Sequence, residues 1–166
     1  KGETLLGNAA QEPEVSDLAH LLVSMGARID GIGSSRVRIE GVETLHAPKR
    51  PHRIIPDRIE AGTFLIAGAI SGGEVVVKDC EPAHLEALIN KMRQAGVTIS
   101  DAGPGALRVK AARHLRSTDV TTEEHPGFAT DLQAQYMALM TQAEGISFIT
   151  ERIFENRFMH VLELVR

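Results

Sequence analysis

Apolar residues recur at helical spacing twice along this chain, and each time the same punctuation follows. In the first stretch Glu12-Pro13 leads into Val15, Leu18, Leu22 and Met25, then Gly26-Ala27-Arg28-Ile29, then Val37-Arg38-Ile39. About seventy residues later Glu81-Pro82 leads into Leu85, Leu88, Met92 and Ala95, then Gly96-Val97-Thr98-Ile99, then Leu107-Arg108-Val109. Steps of three and four residues put each apolar set on one face of a helix. Proline in the first turn gives up no helical hydrogen bond. Gly26 and Gly96 supply the left-handed residue on which such a helix ends. Arg36 to Glu40 alternates polar and apolar, as a half-buried strand does.

A second pair of elements also repeats. Residues 59–78 predict a helix through Phe64, Leu65 and Ile70, a Gly72-Gly73 turn, and a strand from Glu74 to Lys78. Residues 131–150 predict a helix through Tyr136, Leu139 and Met140, a Glu144-Gly145 turn, and a strand from Ile146 to Thr150. The repeating unit reads helix, strand, helix, strand, strand, which is a mixed α and β module used several times. Against that unit the chain opens at a strand, Thr4 to Leu6. It closes in a helix containing Phe158, Val161, Leu164 and Val165. The pattern therefore predicts a piece of a larger protein. It also predicts unpaired apolar surface at both ends, which favours self-association.

Composition narrows the class. The chain has 166 residues, 43% hydrophobic, with a net charge of −4. That suits a globular core. No basic run with interleaved aromatics appears, so nucleic acid is not an expected partner. The longest apolar run, Phe64 to Ile70, is too short to cross a bilayer, so no membrane partner is expected. A single cysteine fits a reducing, cytoplasmic setting. Between the first two units, His46 to Arg58 carries three prolines and the cluster Lys49, Arg50, His52 and Arg53. It reads as a linker, either a solvated connection or an anion-facing hinge.

Candidate chemistry gathers in the second half. Thr130-Asp131-Leu132-Gln133 fits a capping box, with Thr130 as N-cap and Gln133 as its partner. Asp131 would then lie in the first helical turn, where the backbone favours its ionised form. Such a carboxylate on a rigid element can act as a general base, or can be a helix-terminus acid and nothing more. His125-Pro126-Gly127 makes a shaped loop before it. Ile153 to Phe158 follows an expected buried strand and holds Phe154, Asn156 and Arg157 together. This segment is either core plus solvated loop, or an aromatic and hydrogen-bonding wall for a sugar or nucleotide. Other motifs do not develop. Gly31-Ile32-Gly33 leads into a strand and lacks the third glycine of a dinucleotide loop. The seven histidines have no metal-ligand spacing. Cys80 reads as a structural thiol.

Four segments resemble the UDP-N-acetylglucosamine enolpyruvyl transferase family: GNAAQEPEVSDLAHLLVSMGA, RIIPDRIEAGTFLIAGAI, HPGFATDLQAQ and ITERIFENRFMH. The resemblance runs over almost the whole chain in the family's order. It implies an α/β prism fold, in which two domains, each of repeated βαβαββ units, form inside-out α/β barrels. Residues 1–47 would finish the first domain, 48–56 would link, and 57–166 would begin the second. It implies transfer of the enolpyruvyl group of phosphoenolpyruvate to the 3′-hydroxyl of UDP-N-acetylglucosamine, by addition and elimination, without metal or organic cofactor. This is the first committed step of peptidoglycan synthesis. Asp131 matches the family's aspartate at the sugar, the base toward the 3′-hydroxyl. Ile153 matches the aliphatic wall of the uridine site. Thr130, Phe154 and Arg157 are neighbouring motif positions expected to line it, and Asp57-Arg58 match a pair near the interdomain cleft. The family's Lys-Asn pair, reactive-cysteine loop and phosphoenolpyruvate arginines have no match here, so half a site is expected, inactive alone. Two alternatives stand beside this: a non-catalytic module of the same fold, and a transferase acting on shikimate phosphate.

Overall fold

The computed structural model describes residues 2–166, which fall into two compact units dividing between Ile55 and Pro56. The first contains strand β1 (Glu3–Gly7), helix α1 (Pro13–Ser24), β2 (Arg28–Asp30) and β3 (Arg36–Glu40). The second runs α2 (Arg58–Ile70), β4 (Glu74–Val77), a 3₁₀ turn (Pro82–Leu85), α3 (Glu86–Gln94), β5 (Thr98–Asp101) and β6 (Leu107–Lys110). It continues through β7 (Val120–Thr121), a 3₁₀ turn (Thr130–Leu132), α4 (Gln133–Met140), β8 (Ile149–Thr150) and α5 (Val161–Val165). The fold is the expected mixture of α and β.

The sequence repeat is a structural repeat. Both units hold a three-stranded antiparallel sheet with its last strand in the middle, β1-β3-β2 and β4-β6-β5. Ile39 lies between Thr4 and Ile29, and Val109 lies between Val75 and Ile99. Arg38 reaches Glu3 as Arg108 reaches Glu74. The helix ends match as well. The Ala27 and Gly26 N–H groups donate to Leu22 and Val23, and those of Val97 and Gly96 donate to Met92 and Arg93. Both glycines adopt φ near +100°, at +102° and +98°. This is the paired hydrogen-bond arrangement that closes a helix on a left-handed residue.

The two units differ in what they bury. In the second, α2 packs on β4 and β6 and also on α4 and the Thr130–Leu132 turn. It is apolar on more than one face, with Leu65 and Ile66 buried, as a helix inside a core must be. Gly62 and Gly68 allow the close approach. A Cβ on Gly62 would stand 2.9 Å from methyl groups of Leu132 and Leu88. A Cβ on Gly68 would stand 2.7 Å from Val109 and 3.0 Å from Val75. In the first unit the apolar residues of α1 and the sheet, among them Leu6, Leu18, Leu22 and Val37, line an open groove instead. Leu18 there remains 55% exposed.

Several boundaries differ from expectation. Pro82 opens a 3₁₀ turn rather than the α-helix itself. The expected strand Ile146 to Thr150 narrows to Ile149–Thr150, and it pairs in parallel with β7, where the matching β4 is antiparallel to β6. Ile146 and Phe148 are exposed, so the segment before Ile153 is not a buried strand. Phe158 precedes the last helix instead of lying in it. His52 of the expected linker is half-buried, with Nε2 2.9 Å from Asp17 Oδ1, so this part of the stretch is bound to its own unit.

Gly68→Ala is expected to destabilise by about 1–3 kcal/mol, because its neighbours are stiff β-branched valines. Gly62→Ala meets the ends of leucine side chains, which can rotate away, and is expected to cost less. Urea-unfolding midpoints that rank the two the other way would contradict this packing.

Candidate functional site

The β7–β8 pairing builds the site. The Thr122 N–H donates to the Thr150 carbonyl at 2.9 Å, which sets Thr122 beside Glu151. Thr122 is fully buried. Its hydroxyl donates to Glu151 Oε1 at 2.7 Å and accepts from the Arg152 N–H at 2.9 Å. Beyond β7 the chain turns back through His125-Pro126-Gly127, with a cis bond before Pro126. Gly127 is required there, since a Cβ would stand 2.5 Å from that of Glu123. Phe128 is buried edge-on against the ring of Tyr136, with centroids 5.3 Å apart, and anchors this loop to α4. The expected shaped loop is present.

The loop delivers Thr130 and Asp131, though not through a capping box. Ala129 stands at the cap of the 3₁₀ turn and no side chain caps it. The Thr130 hydroxyl donates instead to Glu151 Oε2 at 2.7 Å, and Gln133 is buried at the start of α4. The hydroxyl proton goes to the charged acceptor, and the hydroxyl oxygen accepts from Arg157 Nη1 rather than from a backbone N–H. Asp131 is exposed, and its Oδ1 accepts from Arg157 Nη2 at 2.5 Å. Arg157 Nη1 donates to Thr130 Oγ1 at 3.0 Å, and its guanidinium lies 5.2 Å from the centre of the Phe154 ring.

Thr130, Asp131, Phe154 and Arg157 are therefore brought into direct contact. Ile153 joins them through its backbone, whose N–H donates to Glu151 Oε1 at 2.8 Å, and the Phe154 N–H does the same at 3.2 Å. Phe154 is 57% exposed, so it is not core. Ile153 is half-buried. Asn156 adopts φ +57°, a conformation asparagine tolerates better than most residues. Its place in the motif has a backbone reason. Arg58 begins α2, the helix packed on the Thr130–Leu132 turn. Asp57 caps that helix, with Oδ1 accepting from Ile59 and Glu60 at 2.8 and 3.0 Å. Cys80 is buried, and burial pushes its thiol above the ordinary value, in keeping with a structural role.

Glu151 is the residue that periodicity does not mark. Burial pushes its carboxyl up, but the Thr122 and Thr130 hydroxyls and the Ile153 and Phe154 N–H groups outweigh that, holding it at about 2. The available signal is an acid two and three residues ahead of apolar N–H donors, as at a helix cap, although no helix follows. Chemically the cluster offers an exposed carboxylate, a guanidinium and an aromatic face on a rigid mount.

The family profile described as EPSP synthase (3-phosphoshikimate 1-carboxyvinyltransferase) matches residues 1–166. A UDP-N-acetylglucosamine 1-carboxyvinyltransferase of Acidobacterium capsulatum is 63% identical over 166 residues, all of this chain and 38% of that protein. That of Koribacter versatilis is 60% identical over 99% of the chain and 37% of the protein. The chain thus spans well under half the length of these curated relatives. Among solved structures, the enolpyruvyl transferase NikO of Streptomyces tendae superposes with a TM-score of 0.84 at 27% identity, covering 99% of this chain and 39% of that one. An EPSP synthase of Acinetobacter baumannii, at TM-score 0.50 and 16% identity over 98% of this chain and 38% of that one, shares the fold.

The folded-state value of Glu151 lies below its ordinary 4.5, so the stability it contributes is complete above about 4.5 and disappears as pH falls toward 2. The Glu151 carboxyl is expected to titrate near the lower value by carbon-13 NMR, with the Ile153 and Phe154 amides losing protection in the same range. A midpoint at 4 to 5 would remove the four-bond description.

Proposed function

This chain belongs to the EPSP synthase family of enolpyruvyl transferases, and we propose that it forms part of an enzyme that transfers the enolpyruvyl group of phosphoenolpyruvate to the 3′-hydroxyl of UDP-N-acetylglucosamine. The observation that carries the reading is 53–63% identity, over essentially the whole chain, to six relatives that bear that activity's name. In this reading residues 1–47 finish one domain, 48–56 link, and 57–166 begin the other. Division of the chain between Ile55 and Pro56 supports that arrangement. The work is cytoplasmic and opens peptidoglycan synthesis, and so serves cell-wall biogenesis, cell shape and division.

Asp131 takes the proton of the sugar 3′-hydroxyl while that oxygen bonds to C2 of phosphoenolpyruvate and C3 gains a proton from an acid outside this chain. The product of this addition is tetrahedral at C2. Loss of a C3 proton and of phosphate then leaves a vinyl ether. One oxygen of Asp131 is committed to Arg157, so the hydroxyl meets the other. Ile153 and Phe154 form an apolar wall for the nucleotide, Thr130 and Arg157 line the sugar side, and Arg58 contributes from the start of α2. An exposed carboxylate bonded to Arg157, which is itself bonded through Thr130 to Glu151, supports the assignment of the base. Exposed Leu18 and Met159, at 55% and 82%, support self-association of this stretch when isolated.

In the complete protein, Asp131→Ala is expected to slow phosphate release from the two substrates by about 10²–10⁴. An unchanged rate would remove Asp131 as base. Turnover that requires shikimate 3-phosphate in place of the nucleotide sugar would move the assignment to the other branch of the family. Residues 1–166 alone are expected to release no phosphate above background, because positional catalysis needs both walls of the cleft. Measurable turnover by this stretch would contradict that.

A further inference from the structure

We infer that Glu151 is a positioning residue of this site: it takes the proton of the Thr130 hydroxyl, which leaves Thr130 Oγ1 to accept from Arg157 and so seats that guanidinium on Asp131. The kinetic consequence rests on the reading of Asp131 as base, whereas the hydrogen-bond direction does not.

The direction follows from counting donors. A carboxylate accepts and a guanidinium donates, with no exchange of roles. A hydroxyl has one proton. That of Thr130 goes to Glu151 Oε2 at 2.7 Å, so toward Arg157 Nη1 at 3.0 Å Thr130 can act only as acceptor. Arg157 then holds its other terminal nitrogen on Asp131 Oδ1. The chain runs from Arg157 through Thr130 to Glu151, each bond pointing the same way.

Glu151 also holds the second support of Arg157. The Phe154 N–H donates to Oε1, and the Phe154 ring lies 5.2 Å from the guanidinium. Thus two of the three groups that fix Arg157 are themselves fixed by one carboxylate. Its depression to about 2 keeps it an acceptor throughout the neutral range. An amide in its place would press an N–H against one of the four donors. Turned away from the three at Oε1, it would face Thr130 Oγ1, which already receives Arg157, and the Thr130 proton would lose its partner.

Thr122 makes an equally short bond to Glu151, on the oxygen that also receives the Phe154 N–H, so it belongs to the same support. In the complete protein, Glu151→Gln and Thr130→Val are each expected to lower kcat about 10- to 100-fold, with the double variant no worse than the poorer single one. Effects of Glu151→Gln and Thr130→Val that multiply, or a Glu151→Gln protein changed in Tm alone, would overturn the inference. A readout without substrate separates this from the functional reading. In the unliganded protein the Arg157 guanidinium protons are expected to give separate NMR signals from hindered rotation, and averaged signals in Glu151→Gln and Thr130→Val. Unchanged signals would overturn the inference even if the acceptor sugar proved different. Lack of wild-type turnover with UDP-N-acetylglucosamine would overturn the function alone. Should Glu151→Gln fail to fold, Thr130→Ser against Thr130→Val decides: serine keeps the hydroxyl, so its kcat and separate signals are expected to exceed those of valine. Equality of the two would sink the proposal.

Discussion

Close packing around helix α2 is the constraint on which the second unit depends. The helix is sandwiched between β4–β6 and the Thr130–Leu132 turn with α4. Gly68 admits Val75 and Val109 on one side, and Gly62 admits Leu88 and Leu132 on the other. At Gly68 a side chain has no room, at Gly62 it fits only if leucine ends move aside, and interiors this dense pass a displacement on to their neighbours. Leu132 directly follows Asp131 in the chain. The depth at which the turn seats on α2 therefore sets where that carboxylate stands.

A polar counterpart to this packing sits one strand away. The Glu151 carboxylate gathers two hydroxyls from 29 and 21 residues upstream and two backbone N–H groups from 2 and 3 residues downstream. A charged group in partial burial is tolerable because its acceptor capacity is filled. The result is a mount in which exposed Asp131 and Phe154 and half-buried Arg157 stand on bonded partners. Sites held in this way do not have to be organised when the ligand arrives.

The two copies of the repeat show how much one pattern can vary. Their sheets share strand order, register and even a cross-strand Arg–Glu pair. Their helices end on the same left-handed glycine. Exposed pairs of that kind contribute little energy, so the likeness reports common geometry rather than a shared source of stability. Further along, β8 pairs in parallel with β7, and there the plain repeat gives way to the site.

Periodicity and punctuation alone determined the helices α1, α2 and α3, the strands of the two units, and the glycines that end α1 and α3, because these depend on neighbours within a few residues; the pairing of those strands, such as Glu3 with Glu40, came from the fold. Motifs likewise marked Thr130, Asp131, Ile153, Phe154 and Arg157 as a group. Local rules failed where a local bond had a distant competitor. Thr130 has the spacing of a capping box, yet its hydroxyl serves Glu151, twenty-one positions away. The segment from Ile146 reads as a buried apolar strand, yet Ile146 and Phe148 are exposed and only Ile149 and Thr150 pair with β7. Glu151 itself has no periodic signature: its Ile153 and Phe154 donors are local, but the Thr122 and Thr130 hydroxyls reach it only after the chain has folded. Tertiary structure decided these points because a hydrogen-bond donor follows the strongest acceptor within reach, and reach is set by the fold.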